Sequence, residues 1–263
     1  MPHLTMLAPP HPEATMSFLD HLEELRRRIL WCLAALVVGS VIGFVVTTQL
    51  EVIHFLTRPV RPLLENGRLA YLNPTEPFMV TLKVSVFVGV ILALPVIFWQ
   101  FWKFVAPGLV AKEKKIVVPS VFASVALFVG GAALAFFMAL PLGLKFFFSF
   151  ADEALEPVIT INQYFGFAMQ VTLMFGIVFE TPLVILILTY AGVVSPRTLM
   201  KYRRHAIAAI AVISAIMTPA DVFSMVIMMV PLYLLYETSV TVGWVIERRR
   251  EKAAAAEAAG GHA

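Results

Sequence analysis

Cysteine is almost missing from this sequence. Cys32 is the only one in 263 residues, which excludes an intrachain disulfide and any cysteine-based metal cluster. Charge is scarce as well: 14% of residues are charged, against about 25% in ordinary globular domains. With 60% apolar residues and a mean hydropathy of +0.86, the chain cannot clothe a water-soluble surface. There is no His-Glu-x-x-His, no glycine-rich phosphate loop with lysine, no Gly-x-Ser-x-Gly and no Cys-x-x-Cys, so neither an enzyme nor a cofactor is expected. The net charge of +3 and pI near 9.1 do not indicate nucleic acid, because the basic residues lie in four separate segments and form no single face. No internal repeat is present, and the two halves differ in loop length and charge spacing.

What is present is a series of long uncharged runs, at 29–50, 84–102, 116–144, 157–179, 181–196, 205–220 and 222–236. A helix needs about 20 residues to cross the hydrocarbon layer, so seven runs need not be seven spans. Charge decides the count. Basic clusters at Arg26–Arg28, Lys103 to Lys115, Arg197 to Arg204 and Arg248 to Lys252 hold fifteen of the twenty basic residues. The intervening segments carry acids such as Glu51, Glu76, Asp152, Glu153 and Glu156. The positive-inside rule then selects six spans with both termini in the cytoplasm: about 29–50, 84–104, 116–144, 163–191, 205–217 and 222–246.

This count requires Glu180 to lie inside one long fourth helix that Pro182 kinks or tilts without ending. The fifth helix is too short to cross upright, which predicts thinning of the membrane there or a hairpin that stops within it. The expected organisation is a disordered extension over 1–16, a membrane domain over 17–248 and a disordered cytoplasmic tail over 249–263. The extension carries four prolines and no secretory apolar core, and Met16 is an alternative start. Four prolines, Pro59, Pro62, Pro74 and Pro77, break up the first external loop at 51–83, which should cap the bundle. The second external loop, 145–162, is shorter and acidic.

Carboxylates in unusual places carry what chemistry there is. Residues 17–29 place Phe18, Leu22, Leu25 and Ile29 on one stripe, with Ser17 and Asp20 spaced as a capping box. This segment should lie along the cytoplasmic membrane surface, with Glu23–Arg27 and Glu24–Arg28 as i,i+4 pairs. Glu113 stands among Lys112, Lys114 and Lys115 and reads on its own as a solvated loop acid. Two cytoplasmic carboxylates held apart would, however, grip two guanidinium groups in fixed register, and lysine less well. Glu180 and Glu237 interrupt apolar runs and must face protein or a wet cavity, as hydrogen-bonded acids between helices or as functional ones. Asp221 reads as the N-cap of the last helix. Gly39 and Gly43 form a small-xxx-small motif that fits close packing or dimerisation equally.

Four segments stand out in order along the chain: His21-Leu-Glu-Glu-Leu-Arg26, Phe104-Val-Ala-Pro-Gly-Leu109 with Glu113, Phe175-Gly-Ile-Val-Phe-Glu180-Thr-Pro182 and Thr218-Pro-Ala-Asp-Val-Phe-Ser224. In this order they resemble the TatC family, the multi-spanning receptor subunit of the twin-arginine protein translocase. The resemblance covers about 17–248. It implies an all-α membrane protein of the bacterial plasma (inner) membrane, with six helices in a concave, cupped wall and short fifth and sixth helices. It implies that Glu24 and Glu113 receive the paired arginines of a signal peptide, with Leu25, Arg26 and Phe104 shaping that surface. Glu180, joined by Glu237, would mark the polar concave face. Pro59 would belong to the external cap, and Thr218 and Asp221 would lie where single-span partners dock. Met225 departs from the family's frequent glutamine there.

The implied partners are TatA- and TatB-like single-span subunits, twin-arginine signal peptides of folded cargo, membrane lipid and further copies of the chain. The implied energy source is the proton gradient. Two rival readings are a proton-coupled small-molecule transporter using Glu180 and a structural assembly factor. Against the transporter stand the missing internal repeats and broken polar helices.

Overall fold

The computed structural model describes residues 18–64, 66–105, 117–150, 158–190, 194–218 and 221–260. Among these residues there is no strand, only one isolated parallel bridge between Ala70 and Thr160. The architecture is all-helical. Helix α1 spans Phe18–Gln49, α2 Val52–Leu56, α3 Glu76–Val105 and α4 Val117–Leu134. A π-turn at Ala135–Ala139 leads into α5, Leu140–Phe148. Then come α6 Ile161–Val178, α7 Thr181–Tyr190, α8 Pro196–Lys201, α9 Arg203–Met217 and α10 Val222–Gly260.

Among the described residues, five segments are long and apolar enough to cross a membrane: Leu19–Gln49, Glu76–Val105, Val118–Phe148, Ile161–Thr189 and Val222–Arg249. Of the six spans expected from charge, the fifth is the one that falls short. Its helix, α9, has 15 residues and a length of about 22 Å at 1.5 Å per residue. Large apolar side chains point outward over the bundle, among them Trp31 (61% exposed), Phe122 (71%) and Ile216 (77%), as expected where lipid is the solvent.

Several expected boundaries change. The amphipathic segment before the first span is no separate surface helix; it continues unbroken into the span, because nothing between Phe18 and Gln49 stops helix formation. The last helix is not short, and the tail is helical as far as Gly260. Ala253 to Ala256, flanked by Lys252 and Glu257, are strong helix formers that extend α10 past the apolar stretch. The third span runs on to Phe148, carrying Lys145 within α5. The 1–16 extension, Ser17 of the capping box, Glu113 and the centre of the second external loop lie outside the described residues.

The fourth apolar segment is one span with a two-residue interruption at Phe179 and Glu180. Pro182 has no amide hydrogen for the Val178 carbonyl four residues back. The Thr181 hydroxyl takes that place, donating to Val178 O at 2.6 Å, so the Val178 carbonyl keeps a donor across the break.

Gly39 and Gly43 pack inside this chain. A Cβ on Gly39 would stand 2.6 Å from the Gly89 carbonyl oxygen, one on Gly43 would meet the Ser85 carbonyl oxygen, and one on Gly89 would stand 2.6 Å from Ser40 Cα. The small residues are therefore what lets α1 and α3 touch backbone to backbone. Beyond α1, residues 51–64 and 66–75 fold into the expected cap. Leu56 and the fully buried Val60 join Val80, Val84, Phe136, Leu140 and Phe165 in one cluster. The Tyr164 hydroxyl donates to Leu56 O at 2.6 Å and Lys83 Nζ to Asn162 Oδ1 at 2.7 Å. A second cluster joins α6, α9 and α10 through Phe175, Ile210, Met228, Leu232 and Val240.

Candidate functional site

The end of the bundle opposite the cap brings the start of α1 against the end of α3. Arg28 Nε donates to Glu24 Oε1 at 3.0 Å, and Arg28 NH2 donates to the same oxygen. Arg28 NH1 donates across to Gln100 Oε1 on α3 at 3.2 Å. The pair is largely shielded, with side chains 9% (Glu24) and 15% (Arg28) exposed. Glu24 Oε2 is buried and has no hydrogen-bond partner among the described residues. His21 Nδ1 stands 3.9 Å from it, and the His21 ring stacks on Phe104 with centroids 4.4 Å apart.

One of the two expected i,i+4 pairs is thus formed; Glu23 and Arg27 form none among the described residues. Glu24 opens on a groove of about 410 Å³ lined by Asp20, Glu23, Glu24, Arg26, Arg27 and Leu30. Leu25 is half-buried and Arg26 exposed. Sequence reasoning missed Gln100; its one distinguishing mark is that no other amide occurs in the uncharged run 84–102.

Glu180 sits at the helix interruption, within reach of α3 and α4. The Trp102 indole donates to Ser124 Oγ at 3.1 Å, and Ser124 lies near the Glu180 carboxyl. Trp102 and Ser124 are both 2% exposed. Glu180 Oε1 is buried without a partner among the described residues. Phe98, Trp99, Val121, Leu183 and Ile187 pack around Trp102, so an acid with a buried, unpartnered oxygen among the described residues stands beside an apolar setting. Trp102 and Ser124 carry no signal in the sequence, since tryptophan and serine are common in apolar spans.

Glu237 is different. Arg203 NH2 donates to its Oε2 and the Tyr233 hydroxyl to its Oε1, both at 2.9 Å. Each oxygen has a donor, and no hydrogen bond or ion pair links Glu237 with Glu180 among the described residues. The two acids expected on one polar face therefore occupy separate settings. Arg203 belongs to the basic cluster 197–204, the one signal that pointed to it.

At the α9–α10 turn, Asp221 Oδ1 accepts from Ser224 N at 2.6 Å, the expected N-cap. Its Oδ2 is buried and unpartnered among the described residues. The buried Thr218 donates back to Ser214 O at 2.8 Å, and Met225 follows half-buried on α10. Pro59 lies in the cap turn, beside the fully buried Val60.

Comparison with known proteins decides what this geometry belongs to. Residues 20–231 match the family description "Sec-independent protein translocase protein (TatC)". The chain belongs to the TatC family. It is 36% identical to the TatC protein of Carboxydothermus hydrogenoformans over 233 residues, covering 88% of this chain and 94% of that one. With the Aquifex aeolicus TatC it shares 37% identity over 239 residues, 90% and 98% of the two chains. With the Escherichia coli TatC it shares 33% over 229 residues, 87% and 88%. A crystal structure described as the twin arginine translocase receptor TatC in DDM superimposes with a TM-score of 0.75 at 38% identity, covering 85% of this chain and 99% of that one. As a TatC-family chain it is a membrane-embedded component of a protein translocase and not an enzyme.

Proposed function

We propose that this chain is the core receptor of a twin-arginine translocase in the bacterial inner membrane, binding signal peptides with paired arginines at its cytoplasmic face. Glu24 and Glu113 take the two guanidinium groups, while Leu25, Arg26 and Phe104 shape the surface around them. Both termini are cytoplasmic in this reading, and α9 makes a sixth, short crossing through thinned membrane. The observation that carries the proposal is the Glu24 carboxylate: shielded, open at Oε2 and set on a groove lined by two further acids. A planar guanidinium spans both carboxylate oxygens and can supply a donor to the Oε2 that Arg28 leaves unbonded. The two crystal structures that the chain resembles are described as a twin arginine translocase receptor, which supports the same reading.

TatA- and TatB-like single-span subunits dock at the α9–α10 turn, around Thr218, Asp221 and the half-buried Met225, and the cap carrying Pro59 holds the outer ends of the helices in place. Further copies of the chain complete the assembly. Folded cargo then crosses under the drive of the proton gradient, with Glu180 as the acid in the concave face. No cofactor is required.

The test is equilibrium binding of a labelled Arg-Arg peptide and its Lys-Lys counterpart to the full chain in detergent. Wild type should prefer Arg-Arg, and Glu24→Ala or Glu113→Ala should each weaken that binding by about tenfold or more, the loss of a charged hydrogen-bonded pair. Equal affinity for the two peptides, or normal binding by either variant, refutes the receptor reading of those acids.

A further inference from the structure

The contact between Arg28 and Glu24 raises a difficulty for any receptor reading, because the acid that would hold a cargo arginine already holds an arginine of its own. The detail of the contact resolves it. Two Arg28 donors, Nε and NH2, go to Oε1, while Oε2 receives none among the described residues. The third donor, NH1, is committed to Gln100, a neutral acceptor on another helix. Arg28 therefore has somewhere to remain when Glu24 is taken from it: its guanidinium keeps a shielded hydrogen bond at Gln100 in either state. The arrangement has the form of an exchange, one guanidinium leaving Oε1 as another arrives.

We propose that Arg28 is an internal competitor for Glu24 and sets the preference for arginine over lysine at this position, a reading that rests on the receptor function proposed above. The exchange is selective for geometric reasons. An incoming arginine replaces a guanidinium with a guanidinium and adds a bond to the empty Oε2, since its planar fork spans both carboxylate oxygens. A lysine ammonium replaces charge with charge but meets the carboxylate as a single point. It must give up the two Arg28 bonds without the fork that offsets them. With Arg28 in place lysine loses the competition; without it, Glu24 is an uncompensated carboxylate that attracts any cation. Gln100 lowers the barrier to exchange by keeping the displaced Arg28 from becoming a buried, unbonded charge.

Neighbouring Arg27 supplies the control. It is exposed and forms no pair with Glu23 among the described residues, so its removal lowers the local positive charge without freeing Glu24. The experiment measures affinities of Arg-Arg and Lys-Lys peptides for the full chain, as wild type, Arg28→Gln, Arg27→Gln and Gln100→Leu. For Arg28→Gln both affinities should rise, Lys-Lys by about tenfold and Arg-Arg by about threefold, so that the ratio between them narrows. Arg27→Gln should raise both by the same small factor and leave the ratio unchanged. Gln100→Leu should weaken Arg-Arg binding while its Arg28 still occupies Glu24.

An unchanged ratio in Arg28→Gln, or weaker Arg-Arg binding by that variant, overturns the competitor role. So does a Gln100→Leu variant that folds and binds Arg-Arg as wild type does. A wild-type chain that shows no arginine preference at all overturns the receptor reading itself, which keeps the two failures apart.

Discussion

The two ends of α1 are built to opposite standards. Toward Gln49, α1 locks onto α3 through Gly39, Gly43 and Gly89, and the cap beyond it closes on Val60 with the Tyr164 hydroxyl and the Lys83 ammonium each on an acceptor. Toward Phe18, the same two helices meet through Glu24, Arg28 and Gln100, and a shielded carboxylate oxygen is left without a donor among the described residues. One end is closed by paired polar groups; the other leaves one unpaired, which is where recognition is proposed. Glu237 and Glu180 repeat the contrast within the membrane. Glu237 has a donor on each oxygen, whereas Glu180 Oε1 is buried with no partner among the described residues.

The contrast breaks most severely at the glycine contact. Gly43→Val places a branched side chain against the Ser85 carbonyl, which neither backbone can clear. Thermal unfolding in detergent should show a loss of at least about 1–3 kcal/mol, the cost of overpacking a close contact. Next in size is Tyr164→Phe, which leaves the Leu56 carbonyl buried without its donor, a penalty of about 1–3 kcal/mol. Its melting temperature should fall while affinity for an Arg-Arg peptide stays at the wild-type value. A variant that lost peptide affinity while keeping its stability would erase the division between the two ends.

The two intramembrane acids sharpen the comparison with smaller effects on stability. Glu237→Gln retains most of its hydrogen bonds and loses a half-exposed ion pair to Arg203, worth about 0–1 kcal/mol; export of a folded cargo should continue. Glu180→Gln should leave stability within about 0.5 kcal/mol of wild type, the range of changes that disturb no packed feature, but abolish export. Export that survives Glu180→Gln removes any role for the carboxylate charge.

Much of this contrast was legible in the residues. The apolar runs marked the spans, and the charge clusters directed attention to Glu24 and to the helix that α9 became. The cap followed from its prolines, and Asp221 as an N-cap from its place before an apolar run. The remainder depended on which residues meet across space. Gly39-x-x-x-Gly43 says that something approaches closely; only the position of Gly89 says that it is α3 of the same chain. Gln100 and Ser124 are inconspicuous in sequence because their partners, Arg28 and Trp102, lie 72 and 22 positions away. The α10 extension was the opposite case, since the alanines after Arg250 are helix formers whose signal was outweighed by the position of the segment at the chain's end.

Crosslinking in membrane vesicles would show whether Glu24 lies where cargo is received. A photoreactive residue at position 25 or 104, in inverted vesicles presented with a precursor carrying Arg-Arg, should yield a receptor–precursor adduct that disappears when the pair is changed to Lys-Lys. The same probe at position 59 should give none at this stage. Adducts that form only from position 59, or equally with both precursors, would contradict the assignment of the α1–α3 junction as the place where paired arginines are recognised.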